Sequence, residues 1–345
     1  MTSALRGDLR RYAAANARVR VWLSTLLGRR GLEVLCGYPS AAAVLDALAR
    51  TPYGVAAGGL TPTDHNLLMR LGHAGRILLD LLVEPERTFV RLYLLHYEIA
   101  NLKVVIRAIA QRLSPQSLTA YLDVWPGIAT VAPLELARAH DLRTLVERLA
   151  DTPYGAALAA ALHRAEEAGA FAIEVALELD YYERLWAAAA TLRRADRERA
   201  EHLLGILFDI LTLSWISRYH AAGLSAEEIL NYTLRQGCWL TPEIRRRLAE
   251  TRGAAWTDVL ARTPYAALLG DVPTRSFDAV SVALWRFLAG EIHRSLRGYP
   301  FQIGVPLGFL LLQEIEIRDL RVLLVAKGIG VPGSDILERL ATSRN

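Results

Sequence analysis

Cysteine is scarce in this 345-residue chain: Cys36 and Cys238 are far apart and show no C-x-x-C spacing. That excludes a disulfide framework or a zinc knuckle and leaves two reduced, buried thiols as the expectation. Lysine is as rare. Lys103 and Lys327 are the only two, so arginine supplies nearly all the positive charge behind a net +4. The arginines are scattered, the densest group being Arg245-Arg246-Arg247, and no aromatic platform or recognition motif accompanies them. No nucleic-acid partner is expected, and that group reads as a solvated helix face. Long apolar runs are missing as well. The most membrane-like stretch, Leu203–Ser217, is shorter than the ~20 residues a bilayer span requires and carries Asp209 in its middle. A buried helix is expected there. The N-terminal segment has no signal-peptide apolar core, so the chain reads as soluble, with attachment to a membrane complex left open.

The usual constellations of chemistry are absent too. No E-x-x-H, H-E-x-x-H or G-x-S-x-G occurs, and the glycine-rich Gly54–Leu60 lacks the Lys-Ser/Thr of a phosphate loop. The eight histidines are dispersed. Glu174, Glu178, Asp180 and Glu183 crowd one stretch, which reads as a solvated acidic face rather than a metal site, since the histidine partners of a carboxylate-bridged bundle are missing. No cofactor, metal or catalytic residue is expected.

What is present is helix-forming sequence. Alanine, leucine, arginine and glutamate fill most segments, and Leu95, Ile99, Leu102, Ile106 and Ile109 make one apolar stripe at helical spacing. No alternating stretch is long enough for a sheet, so the expected class is all-α. One corner is written three times, roughly a hundred residues apart: Thr51-Pro52-Tyr53, Thr152-Pro153-Tyr154 and Thr263-Pro264-Tyr265. Proline disfavours helix in the residue before it, so each threonine should end a helix. Its hydroxyl is then expected to cap the next one, with the proline at the first helical position and the tyrosine ring covering the corner. Thr61-Pro62 and Thr241-Pro242 repeat the device ahead of helical sequence.

A longer match surrounds these corners. Shifts of 111 and then 107 residues superpose Tyr97–Leu118, Phe208–Ile229 and Ile315–Ile336 without a gap. Ile99, Ile210 and Ile317 coincide, as do Leu102, Leu213 and Leu320, and Leu118, Ile229 and Ile336. An acid holds one position throughout: Glu98, Asp209 and Glu316. The chain therefore reads as three related helical units, 1–113, 114–222 and 223–345, with a period too long for the common solenoids. A pseudo-threefold body is expected. Each acid, set among apolar neighbours, is expected to pair with an arginine or a tyrosine hydroxyl inside its own unit; proton carriage is the weaker reading.

With the repeats laid out, Gly304–Pro332 resembles the C-terminal signature of the C subunit of V/A-type ATPases, called the d subunit in eukaryotes. An apolar helix runs into an E-x-E-I-R-x-L-R core, Glu314–Arg321, which includes Glu316, Arg318 and Arg321, and is followed by Lys327 and Gly328. Leu95–Ala110, Glu178–Trp186 and Asn16–Leu27 resemble the family's other helices in order. Val325 departs from the arginine present at Arg107 and Arg218, and Thr212 stands where asparagine is expected. The resemblance implies a funnel of three similar helical subdomains and a non-catalytic rotor component on the cytoplasmic face of a membrane proteolipid ring. The end of a central shaft made by the D and F subunits would seat in it, and torque would couple ATP turnover to proton or sodium transport. Residue patterns alone also admit a soluble helical scaffold outside such a machine.

Overall fold

Helix formers dominate the chain, and in the computed structural model every regular element among the described residues is helical. The structure describes residues 3–54, 60–123, 125–253, 255–269 and 277–342. They form two compact units, Met1–Ala57 with Ala189–Asn345, and Gly58–Ala188. The first unit brings together both ends of the chain.

In that first unit, α1 (Ser3–Leu23), α2 (Gly28–Cys36) and α3 (Ala41–Ala49) are followed by the first corner. The second unit holds α4 (Leu60–Leu81), α5 (Glu86–Leu94) and α6 (His96–Ala110), a 3-10 turn (Pro115–Tyr121), α7 (Pro133–Leu136), α8 (Leu142–Arg148), α9 (Gly155–Ala168) and most of α10 (Ala170–Ala190). The chain then returns to the first unit with α11 (Arg194–Ala221), α12 (Ala226–Asn231), α13 (Pro242–Glu250), α14 (Ala255–Leu260), α15 (Ala266–Leu269), α16 (Phe277–Leu296), α17 (Gly304–Gly328) and α18 (Gly333–Glu338).

α17 is the core of the first unit. Nearly every residue from Gly304 to Leu320 is buried, so the helix is apolar all round rather than along one stripe. α1, α3, α11 and α16 pack against it. α16 comes closest at Gly308, where an added Cβ would stand 2.9 Å from Ile292 Cγ2, so only glycine fits without repacking. Trp22 stacks on Phe309 with ring centroids 5.2 Å apart. α11 is long and apolar enough to cross a membrane by composition, but most of that stretch is buried within the protein. The expected buried helix over Leu203–Ser217 is its middle. In the second unit, α6 plays the central part, burying Ile99, Leu102, Ile106 and Ile109 on the expected stripe.

The three helices that carry the repeated acid end alike. After α6, α11 and α17 the chain enters the left-handed region at Arg112, Gly223 and Gly330, with φ of 56°, 81° and 79°. The next N–H then reaches back five residues: Leu113 to Ala108, Leu224 to Tyr219, and Val331 to Ala326. This double-bonded helix end suits glycine, because a Cβ crowds the backbone at positive φ. Beyond each end, Leu118, Ile229 and Ile336 are buried at matching positions. Only the α6 copy has a side chain in the strained position. Arg112→Gly is expected to raise stability by up to about 1 kcal/mol, readable as a higher denaturation midpoint at unchanged slope.

Two expectations about charge fail here. Arg245 is not on a solvated face: it is buried, donating to the carbonyls of Arg235 and Leu240, while Arg246 and Arg247 are exposed. Of the acids of α10, Glu183 is exposed as expected, but the other three do not form a solvated face. Glu174 is buried and takes a two-pronged bond from Arg107, at 2.8 and 2.6 Å, and Glu178 accepts from Lys103 at 2.7 Å. The bond to Glu174 holds the Arg107 guanidinium above its ordinary pKa. Asp180 bonds Arg184 one turn on. Glu174 and Glu178 tie α10 to α6 within the second unit, so helical periodicity had recorded a paired face there and not a wet one.

Candidate functional site

The three corners share one hydrogen-bond pattern. Each threonine hydroxyl donates back to the carbonyl three residues earlier, Thr51 to Leu48, Thr152 to Leu149 and Thr263 to Leu260, at 2.6 to 2.8 Å. The same oxygen accepts the N–H of the tyrosine two residues on. The threonine carbonyl then accepts from the third residue after it. The threonine thus closes the preceding helix and holds the turn, and its hydroxyl does not cap the next helix as expected. Pro153 and Pro264 lie in the turn, two residues before α9 and α15, instead of at the first helical position. Pro52 lies in the same turn. Thr241 does cap as expected, accepting from Ile244 N–H ahead of Pro242. Thr61 and Pro62 fall in the first turn of α4, where side chains are outside the described set.

The tyrosines do more than cover corners. Tyr53, Tyr154 and Tyr265 are buried, and each phenol donates to one of the repeated acids: Tyr154 to Glu98, Tyr265 to Asp209, and Tyr53 to Glu316. A tyrosine hydroxyl as the acid's partner was the expectation. Its location was not. Tyr154 and Tyr265 each come 56 residues after their acid, beyond the end of the segment that carries it, and Tyr53 reaches Glu316 across 263 residues.

Each acid also collects backbone N–H groups just ahead of a short helix. Glu98 accepts from Thr130 and Val131 and from the Thr130 hydroxyl, before α7. Asp209 accepts from Cys238, Trp239 and Leu240 at 3.1, 2.8 and 3.3 Å, before α13. Glu316 accepts from Gly28 at 2.8 Å, at the start of α2. Every junction therefore pins three pieces of chain: an acid helix, a loop entering a short helix, and a Thr-Pro-Tyr corner. Donors that would otherwise be buried without partners are satisfied by one carboxylate.

Electrostatics fit anions held by donors. Burial pushes the Asp209 carboxyl up to about 6, with the N–H groups and Tyr265 opposing it, so the group is ionised at neutral pH. Burial, followed by the neighbouring carboxylates, raises the phenols of Tyr154 and Tyr265, which keep their protons and donate. Asp209, committed to four fixed donors, is poorly placed to carry protons.

Arg318 lies over the Trp285 ring, 5.7 Å from its centroid, and its guanidinium is 3.5 Å from Asp319; Arg321 is half-buried on the same helix. Val325, where the other acid helices have arginine, is exposed. Reading the sequence missed Asp319 and Asp196. Asp319 is fully buried and accepts from the N–H groups of Ala341 and Thr342 and the Thr342 hydroxyl, fastening the C-terminal segment. Asp196 accepts from Ile303 N–H at 2.9 Å and from Arg193 at 2.8 Å, next to the start of α17. Asp196 lies outside the repeated segments. Asp319 falls in register on Asn101, which likewise accepts an N–H 22 residues on (from Asp123), and on Thr212, so the change of residue type along that position hid it.

Cys36 is buried and Cys238 half-buried, both as free thiols. Cys238 lies 3.7 Å from His202 Nδ1, whose Nε2 is 3.0 Å from Glu291, an arrangement that on geometry could serve a nucleophile. Burial, with Asp209 and Glu291 nearby, pushes the Cys238 thiol up to about 12. At that value only about one thiol in 10⁵ is ionised at neutral pH, so the row is inert. Among the described residues, no group of three or more His, Cys, Asp or Glu side chains is placed to hold a metal.

A profile described as ATP synthase (C/AC39) subunit matches residues 15–339. Among curated relatives, the A-type ATP synthase C subunit of Methanothermobacter thermautotrophicus is 27% identical over 343 residues, covering 97% of this chain and 89% of the relative. The proteins of the same name from Methanosphaera stadtmanae and Methanocaldococcus jannaschii are 25% and 24% identical, covering 95% and 93% of this chain and 87% and 84% of their own lengths.

Proposed function

The chain belongs to the ATP synthase (C/AC39) subunit family, and on that footing we propose that it is the socket of a rotary A-type machine, joining a D–F central shaft to a membrane proteolipid ring. It is a non-catalytic subunit of the ATP synthase. The observation that carries this reading is the near end-to-end match to the A-type C subunits, on a chain whose repeated buried acids are all committed to structural donors. In this reading the protein sits peripherally on the cytoplasmic side of the membrane, held there through the ring.

A torque coupler must be stiff, and the three junctions supply stiffness where helices would otherwise slide. Each anion fixes a helix, a loop and a corner at once, so none of the three can shift without stranding buried donors. We take the repeated junction as the mark of three related units with pseudo-threefold arrangement, the divisions at 113 and 222 following the sequence repeat. The third junction joins α2 and the first corner to α17, segments far apart in the sequence.

The test is removal of this subunit from energised membranes. ATP hydrolysis by the head is expected to persist while ion transport driven by it disappears, and adding back the purified protein should restore transport. Undiminished transport in its absence would overturn the coupling role. Copurification of a D–F shaft and ring with the tagged chain checks the two partners.

A further inference from the structure

In the first unit, the last turn of α1, the first turn of α2, the end of α16 and the middle of α17 enclose a cleft of about 940 Å³. That volume is within the range of small-ligand sites. Its wall is basic: Arg20, Arg29, Arg30, His293, Arg294 and Arg297 all line it. Carboxylates do not balance them. Glu33 bonds Arg29 at 3.0 Å, Arg294 is paired with Glu291, and Glu316 is occupied by Gly28 and Tyr53. Among the described residues, Arg20 donates to a neutral acceptor, the Leu296 carbonyl at 3.1 Å. Arg30 and Arg297 are exposed and have no ion pair among the described residues. Three guanidinium groups therefore line one concavity with no ion pair among the described residues, against one lining carboxylate, Glu316, that is bonded to neutral donors.

Two other features strengthen this. Arg29 is held in place by a second bond to the Leu337 carbonyl, so it is fixed beside the cleft and not a free surface chain. The first turn of α2 lines the same wall, its positive end already met by the Glu316 carboxylate at Gly28 N–H. Beneath the arginines the floor is apolar, with Leu27, Leu312 and Ile315. Guanidinium groups are suited to phosphate, which accepts their paired N–H bonds, and a concave apolar floor strengthens such contacts by excluding water.

We propose that this cleft binds a phosphate-bearing polyanion, either free in solution or as a lipid headgroup. The proposal concerns the isolated chain and stands apart from the rotary reading, so each can fail without the other. His293 offers an internal reporter. It is half-buried in the wall, and burial, followed by the charge of Arg297, holds its imidazole below its ordinary pKa. A polyanion seated beside it should raise that value.

The experiment uses the full chain with inorganic tripolyphosphate, and separately with phosphatidylcholine vesicles with and without phosphatidylglycerol. Calorimetry should give saturable one-to-one binding of tripolyphosphate. In the Arg30→Gln/Arg297→Gln variant, which breaks no ion pair among the described residues, binding should weaken at least about tenfold. Tripolyphosphate should also shift the His293 ring titration, followed by NMR, to higher pH. Capture by phosphatidylglycerol vesicles that tripolyphosphate displaces assigns the headgroup; binding of tripolyphosphate without vesicle capture assigns a free polyanion. Absence of saturable binding to either probe, or binding that the double variant retains in full, overturns the site.

Discussion

Asp209→Ala should cost about 3–5 kcal/mol, a large part of the stability of an ordinary domain. The substitution removes one carboxylate and leaves four donors without that partner, the half-buried N–H groups of Cys238 and Trp239 and the buried Leu240 N–H and Tyr265 hydroxyl. Tyr265→Phe removes a single hydrogen bond and should cost only about 1–2 kcal/mol. Denaturant unfolding of the three proteins, compared at constant slope, checks both values; equal small losses would mean the junction is not a load-sharing point.

The same carboxyl supplies a pH signature. Its pKa in the folded state is raised from the ordinary 3.8 to about 6, so the folded protein takes up the proton more readily than the unfolded chain does. The stability contributed by proton uptake at this group is therefore fully present below about 3.8 and is lost as pH rises through about 6, while the hydrogen bonds of the ionised carboxylate remain. Measured against Asp209→Asn, which cannot titrate there, the wild type should gain ground as pH falls from 7 toward 4. A difference that stays flat over that interval, or runs the other way, contradicts burial as the dominant influence on Asp209.

Gly237→Ala should be nearly as damaging. A Cβ at Gly237 would lie 2.1 Å from Asp209 Oδ1, a distance no pair of atoms tolerates. Aspartate is one methylene shorter than the glutamates of the other two junctions, so here the loop approaches the carboxylate closely and glycine is what permits it. The added methyl must push the carboxylate off its donors, for a loss of about 2–4 kcal/mol. Once Asp209 is itself alanine, the space opens and the second substitution should add little. The double-mutant cycle is the check: strong non-additivity supports the contact, and simple addition refutes it.

These sites also mark how far the sequence could be read. The shared acid, the Thr-Pro-Tyr corners and the buried anchors Leu118, Ile229 and Ile336 were visible as a register, because residue type and spacing survive in a one-dimensional pattern. What joins to what was not visible. The tyrosine that reaches Glu98 comes from a later segment, and the partner of Glu316 comes from the opposite end of the chain. Such pairings depend on how helices pack, which periodicity does not encode. The helix end at Arg112 escaped because glycine signals that geometry and arginine conceals it. The acids of α10 were misjudged because their cationic partner Arg107 lies 67 residues away from Glu174, far outside any helical window.

The bond between Tyr53 and Glu316 spans 263 residues, and its companion between Gly28 and Glu316 spans 288. During synthesis the first helices emerge from the ribosome long before α17 exists to receive them, and they must wait with buried-to-be surfaces such as Val19, Leu32 and Leu48 exposed. Distant contacts of this kind form late and slowly. A polypeptide interrupted before α17 would lack the helix around which its beginning folds, so truncated products should be conspicuous to chaperones and proteases. The emergence of α17 is the moment at which the opening segment first has somewhere to go.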